Sequence, residues 1–168
     1  MKTEVYWTNE NFPGRIALVP RPRGADWLED EAIAWNNAGL NTIVSMLERD
    51  EVESFGLERE GEFCRLNGIE FFSIPVADRG VPILNESFYR LLDKLKNLLL
   101  QGKSIGIHCR QSIGRATLLA AFLMISFGIE PNEAFRQLSI ARGLQVPETD
   151  EQKSLAEKFY EESVAVHS

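Results

Sequence analysis

Eight consecutive residues, His108-Cys109-Arg110-Gln111-Ser112-Ile113-Gly114-Arg115, put a thiol and a guanidinium six positions apart. A thiolate is a strong nucleophile, and a helix N-terminus beside a cation favours the thiolate over the thiol. A guanidinium presents parallel N–H donors that match the oxygens of a phosphoryl group. Cys109 therefore reads as a nucleophile and Arg115 as an anion clamp. The flanks suit this: Ser104-Ile105-Gly106-Ile107 reads as a strand leading in, and Ala116 to Phe127 as a helix leading out. A strand, a tight loop and a helix together collect backbone N–H groups around an anion. Arg110, Gln111, Ser112, Ile113 and Gly114 are expected to bind it through the main chain, with the Arg110 and Gln111 side chains fanning outward. His108 either orients the loop or fills space at the strand end.

A nucleophile that attacks a phosphate ester needs an acid for the leaving oxygen, and a carboxylic acid on a neighbouring loop can supply the proton. Asp78, in Ile74-Pro75-Val76-Ala77-Asp78-Arg79-Gly80-Val81-Pro82, stands just after a predicted strand. Asp often caps a turn, but this position favours the acid role, followed by activation of water. Arg79 is expected to be solvated or salt-bridged.

The elements that would hold these residues alternate in kind. Val5-Tyr6-Trp7 and Ile16-Ala17-Leu18-Val19 read as short strands about a turn at Asn11, Pro13 and Gly14. Pro20 to Gly24 is a loop, and Arg21 and Arg23 there are either solvated or attract a phosphorylated partner. Trp27 to Ala38 suits an amphipathic helix ended by Gly39. Strands follow at Thr42–Leu47 and Ile69–Val76, separated by a charged helical stretch over 50–67 broken near Gly56 and Gly61. Helices are predicted at Asn85–Leu100, from Pro131 to Arg142-Gly143, and over 151–164, with a frayed tail beyond. The acid-rich stretch 48–62 reads as a solvated face. Trp7, Trp27 and Trp35 read as packing residues.

This alternation implies a single α/β domain over 1–168: a central, mostly parallel sheet with helices on both faces. Crossovers between parallel strands bring successive strand ends to one edge, where ligands bind in open α/β sheets. The loops carrying Asp78 and Cys109 should therefore meet.

Composition narrows the function classes. The chain has 168 residues, 44% hydrophobic and 26% charged, which suits an ordinary globular domain. No apolar run reaches the ~18 residues needed to span a bilayer. The N-terminal residues lack the apolar core of a signal peptide, so a cytoplasmic location is expected. The net charge of −7 argues against broad binding to nucleic acid or an anionic membrane. The histidines, His108 and His167, offer no metal-ligand spacing. The cysteines are Cys64 and Cys109. Cys64 reads as core packing, with a reversible disulfide to Cys109 as the sharper alternative.

Residues 108–115 resemble the loop of the cysteine-dependent protein phosphatases: His-Cys, five residues, Arg. The segment 74–82 is similar to the general-acid loop of small bacterial dual-specificity phosphatases. Arg142-Gly143 with Val146-Pro147-Glu148-Thr149-Asp150-Glu151-Gln152 resembles the branch that includes the cyclin-dependent-kinase-associated phosphatase. The likeness runs over most of 14–160. It implies the cysteine-phosphatase fold and hydrolysis of phosphotyrosine, with phosphoserine and phosphothreonine as further substrates. It implies a phosphocysteine intermediate, a phosphorylated protein as partner, and no metal or organic cofactor. Gln152 matches a glutamine that helps place the hydrolytic water.

Two positions depart from that pattern. Ser112 stands where a glycine is usual, and Ala116 where a hydroxyl normally touches the sulfur and eases breakdown of the intermediate. Thr117 lies about 100° round the helix, so Ser112 is the better substitute for that contact. Reduced but real turnover is expected. Two other readings stay open: a phospho-recognition module without useful turnover, and a thiol redox enzyme such as an arsenate reductase. The second usually needs more nearby cysteines than Cys64 offers.

Overall fold

The computed structural model describes residues 3–8 and 12–167. Its five strands are β1 (Tyr6–Trp7), β2 (Arg15–Leu18), β3 (Thr42–Ser45), β4 (Glu70–Ser73) and β5 (Ser104–His108). They form one sheet in the order β1-β2-β5-β3-β4, with only β1 antiparallel to its neighbour. The α-helices among the described residues are α1 (Leu28–Asn37), α2 (Arg49–Ser54), α3 (Glu60–Leu66), α4 (Glu86–Leu100), α5 (Arg115–Ser126), α6 (Pro131–Arg142) and α7 (Asp150–His167).

The strand pleat divides the core. Ile16, Leu18, Val44, Ile105 and Ile107 face one side and pack with α4 and α5. Ala17, Val19 and Ile43 face the other and pack with Trp35 of α1 and Cys64 of α3. Helices therefore cover both faces, as the alternation of elements requires. Helix α5 is buried at every position from Arg115 to Ile125. It is apolar all round, the mark of a helix inside a core rather than on its surface. It packs on β2 and β5 and also touches α4, α6 and α7. None of the described helices is long and apolar enough to cross a membrane.

Local chemistry explains most element ends. The Asn85 side chain accepts from the Phe88 N–H at 2.9 Å and starts α4. Pro131 occupies the first turn of α6, and Gly143 ends it with φ 80°. Several boundaries differ from those read off the sequence. Strands β3 and β4 stop at Ser45 and Ser73, because the chain beyond bends over the site. The break in 50–67 runs through Phe55–Arg59, and Gly61 lies within α3. Helix α5 begins at Arg115, one residue before the expected start. Helix α7 runs to His167, three residues beyond the expected end. Trp27 sits in a 3₁₀ turn, about half exposed, with the Arg23 guanidinium over its ring rather than in the core. Asn11 of the first turn lies outside the described residues.

Both cysteines are free and buried. They belong to clusters on opposite faces of the sheet, so the pairing of Cys64 with Cys109 has no basis in the fold. Burial, with the nearby Glu60 charge, pushes the Cys64 thiol up to about 12. Cys64 should therefore resist iodoacetamide at pH 8 until the protein is unfolded. Mild peroxide should yield no Cys64–Cys109 crosslink by peptide mass spectrometry; finding one would contradict this packing.

Candidate active site

The loop after β5 and the start of α5 form the floor of a cavity of about 140 Å³. Cys109, 3% exposed, lies at its base. Arg110, Gln111, Ile113, Gly114 and Arg115 line the same cavity, and Asp78, Arg79 and Glu148 form its rim. Asp78 and Cys109 are thus on one sheet edge, as expected from parallel topology. Among the described residues, none accepts a hydrogen bond from the backbone N–H groups of residues 110–114. Most buried N–H groups in proteins are paired; a run of unpaired ones facing a cavity is an anion-binding concavity. Gly114 is required for close approach: a Cβ there would lie 3.0 Å from Gln152 Nε2 and from Glu148 Oε1. Among the described residues, no group of three or more His, Cys, Asp or Glu side chains is placed to hold a metal ion.

Ser112 adopts φ 58°, the left-handed conformation natural to glycine. For a non-glycine residue this costs roughly 1–2 kcal/mol. The buried hydroxyl donates to the Val19 carbonyl at 2.5 Å, and a buried hydrogen bond returns roughly 0.5–1.5 kcal/mol. The two effects nearly cancel, so the loop keeps a glycine-like course with serine in place. That hydrogen bond commits the hydroxyl proton, so Ser112 does not donate to the sulfur. Thr117 does not either: its hydroxyl donates to the Ile113 and Gly114 carbonyls at 3.0 and 2.9 Å. With Ala116 in the usual hydroxyl position, no side-chain hydroxyl of this loop serves Cys109.

Arg115 is 1% exposed. Its Nη1 donates to Glu51 Oε1 at 2.7 Å, the Val76 carbonyl at 2.8 Å and the Met46 carbonyl at 3.3 Å. Its Nη2 donates to Glu51 Oε2 at 3.0 Å and Asp78 Oδ1 at 3.3 Å. Burial works against the Arg115 charge, but Glu51, the Cys109 sulfur and Asp78 outweigh it and raise its pKa. Glu51 answers in kind. Burial raises its pKa, yet the hydrogen bonds from Arg115 and the Glu48 backbone, with the Arg115 and Arg110 charges, hold it below the usual carboxylate range. Arg115 Nε has no acceptor among the described residues, and the Asp78 contact is one of its two longest. That edge is the part of the guanidinium a phosphoryl group can take.

Asp78 is half exposed and lies 3.6 Å from Arg110 Nη1 as well as beside Arg115. Arg110 therefore folds across the cavity mouth rather than fanning away. Two bridges hold the acid loop. Arg79 pairs with Glu148 at 3.4 Å, as expected for a salt-bridged side chain. Gln152, fully buried, donates from Nε2 to the Gly80 carbonyl at 3.1 Å. Its Oε1 accepts from the Glu148 and Thr149 N–H groups. Gln152 thus staples the acid loop to the start of α7 and does not line the cavity.

His108 is fully buried. Its Nε2 lies 2.6 Å from Glu60 Oε2, Nδ1 lies 3.5 Å from the Cys109 carbonyl, and the ring stacks on Trp35. This supports its role in orienting the loop. Glu51 and Glu60 are the residues that sequence reading missed. Both lie in the acid-rich stretch taken for a solvated face. The signal for Glu51 was local: it forms a capping box with Glu48, which fixes its place in the first turn of α2. Glu60 carried no such mark.

The family model described as "Dual specificity phosphatase, catalytic domain" matches residues 40–161. Over 131 residues the chain is 24% identical to cyclin-dependent kinase inhibitor 3 of Rattus norvegicus, a match covering 77% of this chain and 61% of that protein. The chain thus spans less than two thirds of that relative's length. The fold is similar to the crystal structure of a kinase associated phosphatase whose catalytic-site cysteine is replaced by serine. That match has TM-score 0.84 and 20% identity, covering 98% of each chain. It is also similar to Tk-PTP in its active form, with TM-score 0.69 and 25% identity, covering 88% of this chain and 92% of the other.

Removing the charge of Glu51 leaves a buried guanidinium without its main partner. Glu51→Gln should lower stability by about 3 kcal/mol near neutral pH. A carboxyl whose folded pKa is depressed stabilises above its unfolded pKa and loses that contribution as pH falls through the folded one. The gap between wild type and variant should therefore close only well below the ordinary value of 4.5. Denaturant unfolding at stepped pH measures it; an equal gap at pH 3 and pH 7 would refute the pairing.

Proposed function

The chain belongs to the dual specificity phosphatase family, and from that premise we propose that it hydrolyses phosphate monoesters on proteins through a phosphocysteine intermediate. Phosphotyrosine is the leading substrate, with phosphoserine and phosphothreonine beside it. Residues 1–168 act as one catalytic unit. The Cys109 thiolate attacks phosphorus: an S–P bond forms, the P–O bond to the substrate breaks, and the Asp78 carboxyl gives its proton to the leaving oxygen. Water then attacks the phosphocysteine, Asp78 takes a proton from it, and the S–P bond breaks to release phosphate. Arg115 and the N–H groups of residues 110–114 carry the charge that grows on the non-bridging oxygens. Gln152 acts by holding the acid loop in place. These steps use only side chains and main-chain N–H groups of this protein, and water.

The observation that carries this reading is convergence on one small cavity. A buried thiol, a guanidinium whose Nε has no acceptor among the described residues, unpaired N–H groups and a carboxylate at the rim all face the same space. Such a set stabilises a phosphoryl group in transfer. It offers little to a disulfide-relay reaction, since Cys64 lies across the sheet.

A second reading is favoured by one feature. Neither Ser112 nor Thr117 is free to donate to the sulfur, so the intermediate should break down slowly, and in the limit the protein would bind phosphopeptides without turning over. Hydrolysis of p-nitrophenyl phosphate separates the two. We expect a burst of nitrophenol followed by a slower steady state, complete loss in Cys109→Ser, and a fall of roughly 10²-fold or more in Asp78→Asn. Restoring the hydroxyl in Ala116→Ser should speed the steady state on the order of tenfold while sparing the burst. Absence of any Cys109-dependent release would leave the recognition module as the function.

A further inference from the structure

Strand β4 ends the sheet. Strand β3 pairs with one of its edges, and among the described residues no strand pairs with the other. The Glu70 and Ile74 N–H groups donate to the Asn41 and Ser45 carbonyls, at 3.0 and 2.8 Å, and so face β3. Alternation along the strand then turns the N–H and carbonyl groups of Phe71 and Ser73 outward. Among the described residues, none takes a hydrogen bond from them or gives one to them. Glu70 and Ser73 are exposed, while Phe71 and Phe72 are half-buried. An open edge of this kind is a template for another strand unless charge, proline or a covering loop blunts it. Proline appears here only past the strand, at Pro75.

This edge is complementary to itself. Two copies can lie antiparallel with Phe72 beside the two-fold axis. Phe71 of one copy then exchanges both main-chain hydrogen bonds with Ser73 of the second copy, and the reverse pair forms by symmetry. The two Phe72 residues become a non-hydrogen-bonded pair with Cα atoms roughly 4.5 Å apart, the spacing at which cross-strand aromatic side chains meet.

Charge agrees with this register. Lys94 of α4 holds its Nζ 5.0 Å from the Phe72 ring centroid. Position 70 of the second copy is the diagonal neighbour of position 72 on the same face. Glu70 of the second copy therefore arrives beside Lys94, and neither has an ion-pair partner among the described residues. Beyond Ile74 on that face a cavity of about 270 Å³ opens between the strand end and α4, with no charged side chain in its lining. Ile83 at its lip is 80% exposed. The same register carries residues 69–71 of the second copy past this strand end.

We propose that the outer edge of β4 is a self-association surface, through which two copies of this chain join their sheets into one. The interface is independent of the catalytic reading.

Sedimentation velocity over a concentration series tests it. A reversible dimer should form, with a dissociation constant on the order of 10 µM. Ser73→Pro removes an outward N–H without touching the ladder to β3, and should weaken the dimer about tenfold or more. Glu70→Lys and Lys94→Glu should each weaken it, and combining them should restore it. Thermal unfolding of the dilute variants checks that the monomer still folds. Amide exchange reads the register. The Phe71 and Ser73 amides should exchange fast when dilute and slow as the dimer forms, while the Ile74 amide is protected throughout. A monomer at every concentration overturns the proposal. So does a dimer that is indifferent to Ser73→Pro and to both charge swaps, or one that leaves the Phe71 and Ser73 amides fast.

Discussion

A guanidinium that is 1% exposed is the constraint on which the site depends. Stripping the charge of Arg115 from water costs several kcal/mol unless strong partners replace the hydration. The fold supplies them from three places: Glu51 on α2, the Met46 carbonyl past β3 and the Val76 carbonyl past β4. The two carbonyls sit where the chain has just left the sheet, and Glu51 lies in the first turn of the helix that follows β3. The short strands and the bends after them are therefore parts of one arrangement, which brings three chain segments onto a single cation. Asp78 follows Val76 by two residues, so the carbonyl that anchors Arg115 also sets where the acid loop starts.

A second buried pair works one layer deeper. His108 precedes Cys109, and Glu60 meets it at 2.6 Å beneath the loop, against Trp35. The two helices between β3 and β4 thus each contribute one carboxylate, Glu51 above the loop and Glu60 below it. A segment that resembles ordinary solvated helix is the support of the loop from both sides. On the far side of the cavity, Gln152 and the Arg79–Glu148 pair tie the acid loop to the start of α7. The thiol is held by a frame that draws on most of the chain.

The loop itself was legible because its proposed function rests on residue types at fixed local spacing. Cys109 and Arg115 are joined by a short loop and a helix start, and such spacing does not depend on distant parts of the chain. The strand and helix order was legible for a related reason: apolar runs and periodic patterns are local, and α/β alternation with parallel crossovers then forces Asp78 and Cys109 to one edge. Boundaries were less so. Gly61 looks like a helix breaker, yet its first-turn position in α3 and the Phe71 ring against it leave the helix intact. Trp27 looks like core, but its place in a 3₁₀ turn leaves it stacked under Arg23 at the surface.

From sequence alone came the candidate nucleophile Cys109, the candidate clamp Arg115, the candidate acid Asp78 on a converging loop and the two departures at Ser112 and Ala116, since each is a matter of identity and near spacing. Which acids would be buried, and against what, was decided only in three dimensions. Glu51, Glu53, Glu58, Glu60 and Glu62 are alike in a sequence, and only the packing of α2 and α3 on either side of the loop turns two of them inward, Glu51 to Arg115 and Glu60 to His108. The role of Ser112 was settled the same way. A hydroxyl beside the nucleophile can serve the sulfur or the backbone, and the approach of the Val19 carbonyl from β2 commits it to the backbone.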